Sequence, residues 1–216
     1  MIFVTPRVLE ELDTEIVPIL ALIFQISRES GVVPSDWKTA HVAPVYKKDP
    51  KYNPENYRPI SLTCMCCKLL ELIVVSNVMP HADKYNILYP FQHGFHKFRS
   101  CETQLIGFID DMTRNLDDDQ QTDVRIMEFS KALDKVSHNF LTHKLKHYGM
   151  RGKVNNWIES FLSGRTQAVI VEGVKSTYPC RFWSAPSMFL YYINDTPTGL
   201  DSTIIIIIII IIILLI

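Results

Sequence analysis

The sequence ends in ten consecutive isoleucines, Ile204 to Ile213, followed by Leu214, Leu215 and Ile216. A homopolymer has neither the two-residue period that lines one face of a strand nor the 3.6-residue period that lines one face of a helix. It cannot specify which side is buried, so any unique fold must be encoded in the residues before it. These thirteen apolar residues are fewer than the roughly twenty a membrane-spanning helix needs, and no membrane span is expected. Their uncharged, β-branched composition is that of an aggregation-prone strand. A translated simple-sequence repeat with no selected role accounts for the run on composition alone, with a tail anchor as the alternative.

Apolar residues make up 47% of the 216, enough to bury a core and to exclude gross disorder. Lysine and arginine number 22 against 23 acidic residues, so overall charge gives no signature of a nucleic-acid or membrane binder. Position along the chain is more informative. Residues 1–36, 37–101, 102–140, 141–183 and 184–216 carry net charges of −4, +5, −5, +5 and −2. Five cysteines form no regular framework, and Glu10, Glu11, Asp13 and Glu15 interrupt the first apolar stretch where a signal peptide would need it unbroken. A reducing, intracellular setting is expected. Cys64, Cys66 and Cys67 lack a second ligand pair at zinc spacing and read as ordinary buried thiols.

Val8, Leu9, Leu12, Ile16, Ile19, Leu20, Ile23 and Phe24 recur at helical spacing behind Thr5 and Pro6, with Pro18 expected to kink or split the helix and Gly31 to end it. Ala40 to Tyr46 reads as a strand, Lys47 to Glu55 as a loop and about 66–78 as helix. An amphipathic helix is expected over 101–116, a buried strand over Val124 to Phe129, helices over 139–148 and 153–162, and a hairpin from Gln167 through Glu172-Gly173. Strands and helices mix without strict alternation, which favours an α+β or mixed α/β domain.

Two acidic constellations could do chemistry. Asp110-Asp111 is an adjacent pair of the kind that can hold divalent ions, but it falls inside the periodic helix, where neighbours point about 100° apart, and reads as a solvated face. The second is the apolar stretch Val124 to Phe129 with Glu128 near its end and Asp134 six residues on. A carboxylate at the end of a buried strand is held rigidly and can present oxygen to a hard cation; an exposed strand terminus is the alternative.

Ordered blocks run through the chain: Val33-Pro34-Ser35-Asp36-Trp37-Lys38-Thr39-Ala40, Val45-Tyr46-Lys47-Lys48 and Asn56-Tyr57-Arg58-Pro59-Ile60-Ser61-Leu62-Thr63. Gln92-His93-Gly94-Phe95, Arg99-Ser100-Cys101-Glu102-Thr103-Gln104-Leu105 and Phe129-Ser130-Lys131-Ala132 follow, then Phe161-Leu162-Ser163-Gly164-Arg165-Thr166-Gln167 and Tyr192-Ile193-Asn194-Asp195. Together they resemble the reverse transcriptase domain of non-LTR (LINE-type) retrotransposons, over about Thr5 to Thr203. The resemblance implies a right-hand polymerase extending a DNA primer on an RNA template with two Mg²⁺ ions. It implies an N-terminal helical segment over 1–36, a fingers-like region over 37–122, a partial palm over 123–203 and the tail over 204–216. Lys47, Lys48 and Arg58 match basic finger positions expected to neutralise the incoming triphosphate, and Lys97, Arg99 and Arg165 are implied contacts to nucleic acid. For such cations, surface solubility is the competing explanation.

Departures from the family pattern fall where the chemistry is. Glu128 replaces the first palm Asp, which would ligate Mg²⁺, and Leu133 precedes Asp134, a weaker catalytic candidate. Glutamate keeps the charge but adds a methylene, and a misplacement of about 1 Å can cost roughly 100-fold in rate. His96 stands where Arg is usual. Ser184 to Phe189 replaces a longer template-supporting loop, and isoleucines occupy the place of the Ala-Asp-Asp turn. The expectation is an RNA-directed DNA polymerase fragment with an incomplete palm, no thumb and no catalysis. A residual nucleic-acid-binding module and a translated remnant without a role are the alternatives. No protein partner is identifiable.

Overall fold

A computed structural model describes residues 5–124, 132, 135–171, 174–179 and 186–198. The chain divides into two compact units, one of Met1–Asn77 with Ser137–Trp183 and one of Val78–Val136 with Ser184–Ile216. The described residues form a mixed α/β arrangement with one four-stranded sheet, as the mixture of periods predicts.

The sheet belongs to the first unit. Its strands are β1 (Thr39–Tyr46), β2 (Tyr57–Leu62), β3 (Thr166–Val171) and β4 (Val174–Pro179), in the order β2-β1-β3-β4. β1 and β2 form an antiparallel hairpin in register Val45↔Arg58 and Ala43↔Ile60, and β3 and β4 form the expected hairpin, closing at Val171↔Val174. The central pair, β1 with β3, is parallel and runs only from Thr39↔Thr166 to Val42↔Val169. Pro44 and Pro59, which lack a backbone N–H, face each other beyond that stretch. The strand β2 goes unpredicted because a proline inside a run argues against a strand, and an edge position is what tolerates it.

The helix expected from Thr5, kinked or split at Pro18, is split into α1 (Pro6–Glu11) and α2 (Asp13–Ser30), but not at that proline. The break lies at Leu12, and α2 continues through Pro18 to end on Gly31 in the left-handed region, φ 69°. Proline removes one helical hydrogen bond, and in α2 the remaining ladder carries the helix past it. A Cβ at Gly31 would stand 3.2 Å from the Asn156 Cβ, so glycine serves both conformation and packing there. Two contacts secure α2 and its exit to the segment around Trp157: Trp157 Nε1 donates to Ser27 Oγ at 3.0 Å, and the Val33 amide donates to Ser160 Oγ at 3.1 Å.

Helices α5 (His138–His147) and α6 (Lys153–Leu162) fall where the periodicity places them. They bury Leu141, Leu145, Trp157, Ile158, Phe161 and Leu162, while Ala168 is buried from the sheet. Each large apolar side chain removed from water contributes about 1.5–3 kcal/mol. Their short connection is closed by a Schellman pattern, with the Met150 amide bonded to the Leu145 carbonyl and Gly149 at φ 89°.

α3 (Met65–Lys84) is longer than expected and passes through Pro80; the division between the two units falls within it. Among the described residues it is the one helix long and apolar enough to cross a membrane. Cys67 and Leu70 are buried before that division and Val78 and Ala82 after it, while Leu72 and Ile73 are exposed.

In the second unit, α4 (Cys101–Asp117) starts at a reciprocal cap: the Thr103 amide donates to Ser100 Oγ at 3.2 Å, and the Ser100 amide donates to Thr103 Oγ1 at 2.9 Å. Of its apolar stripe, Phe108 and Met112 are half-buried, whereas Leu105, Ile109 and Leu116 are exposed. α7 (Pro186–Ile193), unforeseen in the sequence, places three consecutive large side chains, Phe189, Leu190 and Tyr191, in fully buried positions. The Tyr191 hydroxyl donates to the Val78 carbonyl at 2.9 Å.

Candidate nucleic-acid interface

Strand geometry brings three of the implied site residues to one end of the β1–β2 hairpin. Val45 sits opposite Arg58, and the Lys47 amide donates to the Asn56 carbonyl at 2.8 Å, so the pairing continues one step past β1. Side chains alternate along a strand, which puts Lys47 on the face of Val45 and therefore on the face of Arg58. The two are diagonal neighbours, a relation that spans about 7–8 Å. Lys48 follows on the bend. All three are exposed, and among the described residues no carboxylate forms an ion pair with them.

The opposite face of the hairpin end is aromatic. Tyr46 and Tyr57 meet edge to face at 5.7 Å between ring centroids, and Lys51 Nζ lies 5.5 Å from the Tyr46 ring centroid. The Tyr46 hydroxyl donates to Asp49, and this hydrogen bond raises the phenol above its ordinary pKa. The loop is braced by Asn56, whose Nδ2 donates to the Pro50 carbonyl at 2.8 Å, and by Tyr57, whose hydroxyl donates to the Lys51 carbonyl at 2.8 Å. Lys51 is a cation that family matching passes over. The crowding of lysines around Asp49 and Pro50 was its only sequence signal.

Lys97 and Arg99 belong to the second unit. Lys97 is exposed, with Nζ 4.8 Å from the Phe98 ring centroid. Arg99 is directed at backbone: its guanidinium donates to the Gln92 carbonyl at 2.8 Å and to the Pro90 carbonyl. These bonds hold a segment in which Phe95 and Phe98 sit at φ 58° and 62°, conformations costing about 1–3 kcal/mol each for such residues. Asn194, from the Tyr192-to-Asp195 block, supports the same region. Its Oδ1 accepts from the Tyr89 amide at 2.7 Å, and its Nδ2 donates to the Ile87 carbonyl at 2.6 Å. Burial and the nearby Arg99 charge lower the pKa of His93, favouring the neutral ring. His96, in the usual arginine position, reaches Asp83 at 3.5 Å.

Arg165 is turned inward. It is 5% exposed, donates to the Phe161 carbonyl at 3.2 Å and stacks 4.7 Å from the Phe161 ring centroid. Burial pushes the Cys67 thiol up to about 12, against the pull of the Arg165 charge. Burial, with Arg165 adding to it, also lowers the pKa of Lys38. This arginine organises the interior of the first unit.

Glu128 and Asp134 lie outside the described residues. Asp110, exposed on α4, pairs with Arg114 at 2.5 Å, one helical turn on, as a solvated face would. Among the described residues no group of three or more His, Cys, Asp or Glu side chains could hold a metal ion, so they do not supply a two-ion centre.

Residues 45–212 match the family described as Reverse transcriptase (RNA-dependent DNA polymerase). The chain is 25% identical over 201 residues to the RNA-directed DNA polymerase from mobile element jockey of Drosophila melanogaster, covering 89% of this chain and 22% of that protein. It is 28% identical over 139 residues to a probable RNA-directed DNA polymerase from transposon BS of the same organism, covering 64% and 15%. It is 25% identical over 141 residues to a retrovirus-related Pol polyprotein from type-1 retrotransposable element R2 of Popillia japonica, covering 65% and 19%. The chain thus spans about a fifth of the length of these relatives.

Proposed function

Because the chain belongs to the reverse transcriptase (RNA-dependent DNA polymerase) family, we propose that this copy retains a phosphate-contacting finger hairpin but cannot carry out polymerisation. The observation that carries the reading is the placement of Lys47 and Arg58 on one face of the hairpin, with Lys48 beside them and no carboxylate partner among the described residues. Exposed, uncompensated cations so arranged bind phosphate oxygens through charge-assisted hydrogen bonds. The ligands are the RNA template, the DNA primer and the triphosphate of an incoming nucleotide. In this reading residues 37–122 are fingers and 123–203 an incomplete palm.

Polymerases of this family generally use divalent metal, which draws together the primer hydroxyl and the reacting phosphate. Glu128 takes the place of one of the Mg²⁺-ligating aspartates, Leu133 replaces the phenylalanine usual before Asp134, and the isoleucine run stands where the remaining acids belong. One lengthened ligand is too few for that chemistry. The purified chain is expected to add no nucleotide to a DNA primer annealed to RNA in Mg²⁺, while binding that template–primer with affinity that falls as salt rises. Template-dependent, Mg²⁺-dependent incorporation abolished by Glu128→Gln would overturn the proposal.

The exposed apolar residues Leu105, Ile109 and Leu116 of α4, together with the tail, favour a second reading, a translated remnant that associates without a role. A soluble monomer with a cooperative melt would exclude it.

A further inference from the structure

Three cysteines gather where β2 gives way to α3. Thr63 and Cys64 join the two elements, and the Lys68 amide donates to the Cys64 carbonyl at 3.0 Å. Cys64 is therefore the N-cap of α3, with Cys66 and Cys67 in its first turn. Residues two apart inside a helix point away from each other. An N-cap residue lies outside the helical dihedrals, which frees Cys64 to meet Cys66. Burial then separates the three: Cys66 is 8% exposed and Cys67 1%, whereas Cys64 is only half-buried. Sequence alone reads all of them as buried thiols, and Cys64 departs from that reading.

The sulfurs also differ in their partners. Burial, the adjacent Cys64 thiol and the hydrogen bond that Cys66 S–H donates to Cys64 all hold the Cys66 proton more firmly than usual. Cys67 instead accepts a hydrogen bond from the Arg165 guanidinium, and its burial keeps small reagents away. A thiol that only fills space behaves as a small hydrophobe and needs no second sulfur beside it. Here a thiol within reach of solvent touches a buried one whose S–H is aimed at it. Accessibility and a resolving cysteine alongside are what allow a thiol to be oxidised reversibly, because the first oxidation product is captured before it can oxidise further.

We propose that Cys64 and Cys66 form a redox-modification site that a hydroperoxide converts into a reversible disulfide at the start of α3. In the first step the Cys64 sulfur, having given up its proton, attacks the terminal peroxide oxygen. The O–O bond breaks, the S–O bond forms, and the departing oxygen takes a proton, leaving Cys64 as a sulfenic acid and the peroxide reduced to water or an alcohol. In the second step the Cys66 sulfur attacks the sulfenic sulfur, the S–O bond breaks, and the hydroxyl leaves with the Cys66 proton as water. The two thiols lose two electrons in total, and the hydroperoxide gains them. Cys67, held by Arg165, takes no part. Where thiols are otherwise kept reduced, a bond of this kind forms transiently and a dithiol reductant reopens it. None of these residues belongs to the finger hairpin, so the site does not depend on the reading under Proposed function.

The test treats the full chain with hydrogen peroxide, blocks the remaining thiols with iodoacetamide under denaturant, and maps tryptic peptides by tandem mass spectrometry. Trypsin releases all three cysteines on the peptide of residues 52–68. After peroxide, two of its three thiols should escape alkylation, fragment ions should place the link between Cys64 and Cys66, and dithiothreitol should restore all three. Cys64→Ser should abolish the link and Cys67→Ser should leave it intact. Cys66→Ser should stop the reaction at the sulfenic acid, trapped by dimedone on Cys64. Since Cys66 is buried, Cys66→Ala serves if the serine variant does not fold, and the fragment map of the wild type needs no variant at all. A link from Cys66 to Cys67, a link to Cys101 or to a second chain, or a disulfide on this peptide that survives Cys64→Ser overturns the inference. So does a wild-type peptide whose three thiols all remain alkylatable after a peroxide dose that oxidises the exposed Cys101.

Discussion

Replacing Arg165 separates a side chain that stabilises the fold from one that contacts a phosphate. In the structure it is buried, donates at 3.2 Å to the Phe161 carbonyl and lies 4.7 Å from the Phe161 ring centroid. A hydrogen bond from a charged donor contributes about 1.5–3 kcal/mol, and a desolvated cation–π contact contributes about 2 kcal/mol. Against these stands the orphaned Nε, since an unsatisfied buried donor costs about 1–3 kcal/mol. Arg165→Ala also removes a packed aliphatic stem and leaves a cavity. The balance is a loss of about 3 kcal/mol, which for a chain of this size lowers the melting temperature by roughly 6–12 °C. Arg165→Met keeps most of the stem and removes the orphaned donor, so its cost should be about 1 kcal/mol. Urea unfolding followed by circular dichroism measures both, and RNA salt titrations run in parallel. An Arg165→Ala chain with the wild-type unfolding midpoint and a salt slope shallower by about 0.7, the value for one lost phosphate on a single strand, would refute the inward assignment.

Ser27→Ala should cost about 2–3 kcal/mol, because it strips the Trp157 Nε1–H of its acceptor at 3.0 Å and the Val32 carbonyl of its donor at 2.6 Å; a denaturation midpoint unchanged from wild type would contradict this. Cys67 should resist iodoacetamide at pH 8 while exposed Cys101 is alkylated, since burial holds the Cys67 thiol up to about 12 and the thiolate is the nucleophile; peptide mass mapping showing Cys67 labelled as fast as Cys101 would sink the assignment. The same shift fixes a pH trend. The unfolded chain releases the Cys67 proton from about 9 and the folded chain only near 12, so this group's contribution to stability is intact below pH 9 and declines above it. Denaturant midpoints that rise between pH 9 and 11 would have the wrong sign. Tyr191→Phe should cost about 1 kcal/mol by removing the bond to the Val78 carbonyl, measured by thermal melting, and a stabilised variant would refute it.

Much of the helical framework was readable because local chemistry and burial agree. The 3.6-residue repeat of Trp157, Phe161 and their neighbours is the buried face of α6, whereas in α4 the repeat marks the helix but leaves Leu105, Ile109 and Leu116 exposed. The misreadings have identifiable causes. Pro18 marks a kink in isolation, but an otherwise intact ladder outweighs one missing bond, and the break falls at Leu12. Pro59 hid β2, since sequence cannot reveal that a strand will occupy an edge. α7 was obscured because almost every residue is apolar, leaving no polar face to reveal a period. At the candidate interface, the grouping of Lys47 with Arg58 depends on a register that only the folded hairpin supplies. Arg165 had the right residue type within a family block, yet its direction is set by Phe161 and Cys67, whose proximity no one-dimensional pattern encodes.

The parallel pairing of β1 with β3 ties Thr39 to Thr166 across 127 positions of chain. During synthesis, β1 can zip to β2 soon after both emerge from the ribosome, but its other flank must wait for β3. Until then a row of unpaired amides and carbonyls offers itself to any passing strand. A product interrupted anywhere upstream of Thr166 would keep that flank open permanently, so premature termination within this gene should yield sticky polypeptides rather than merely shorter ones.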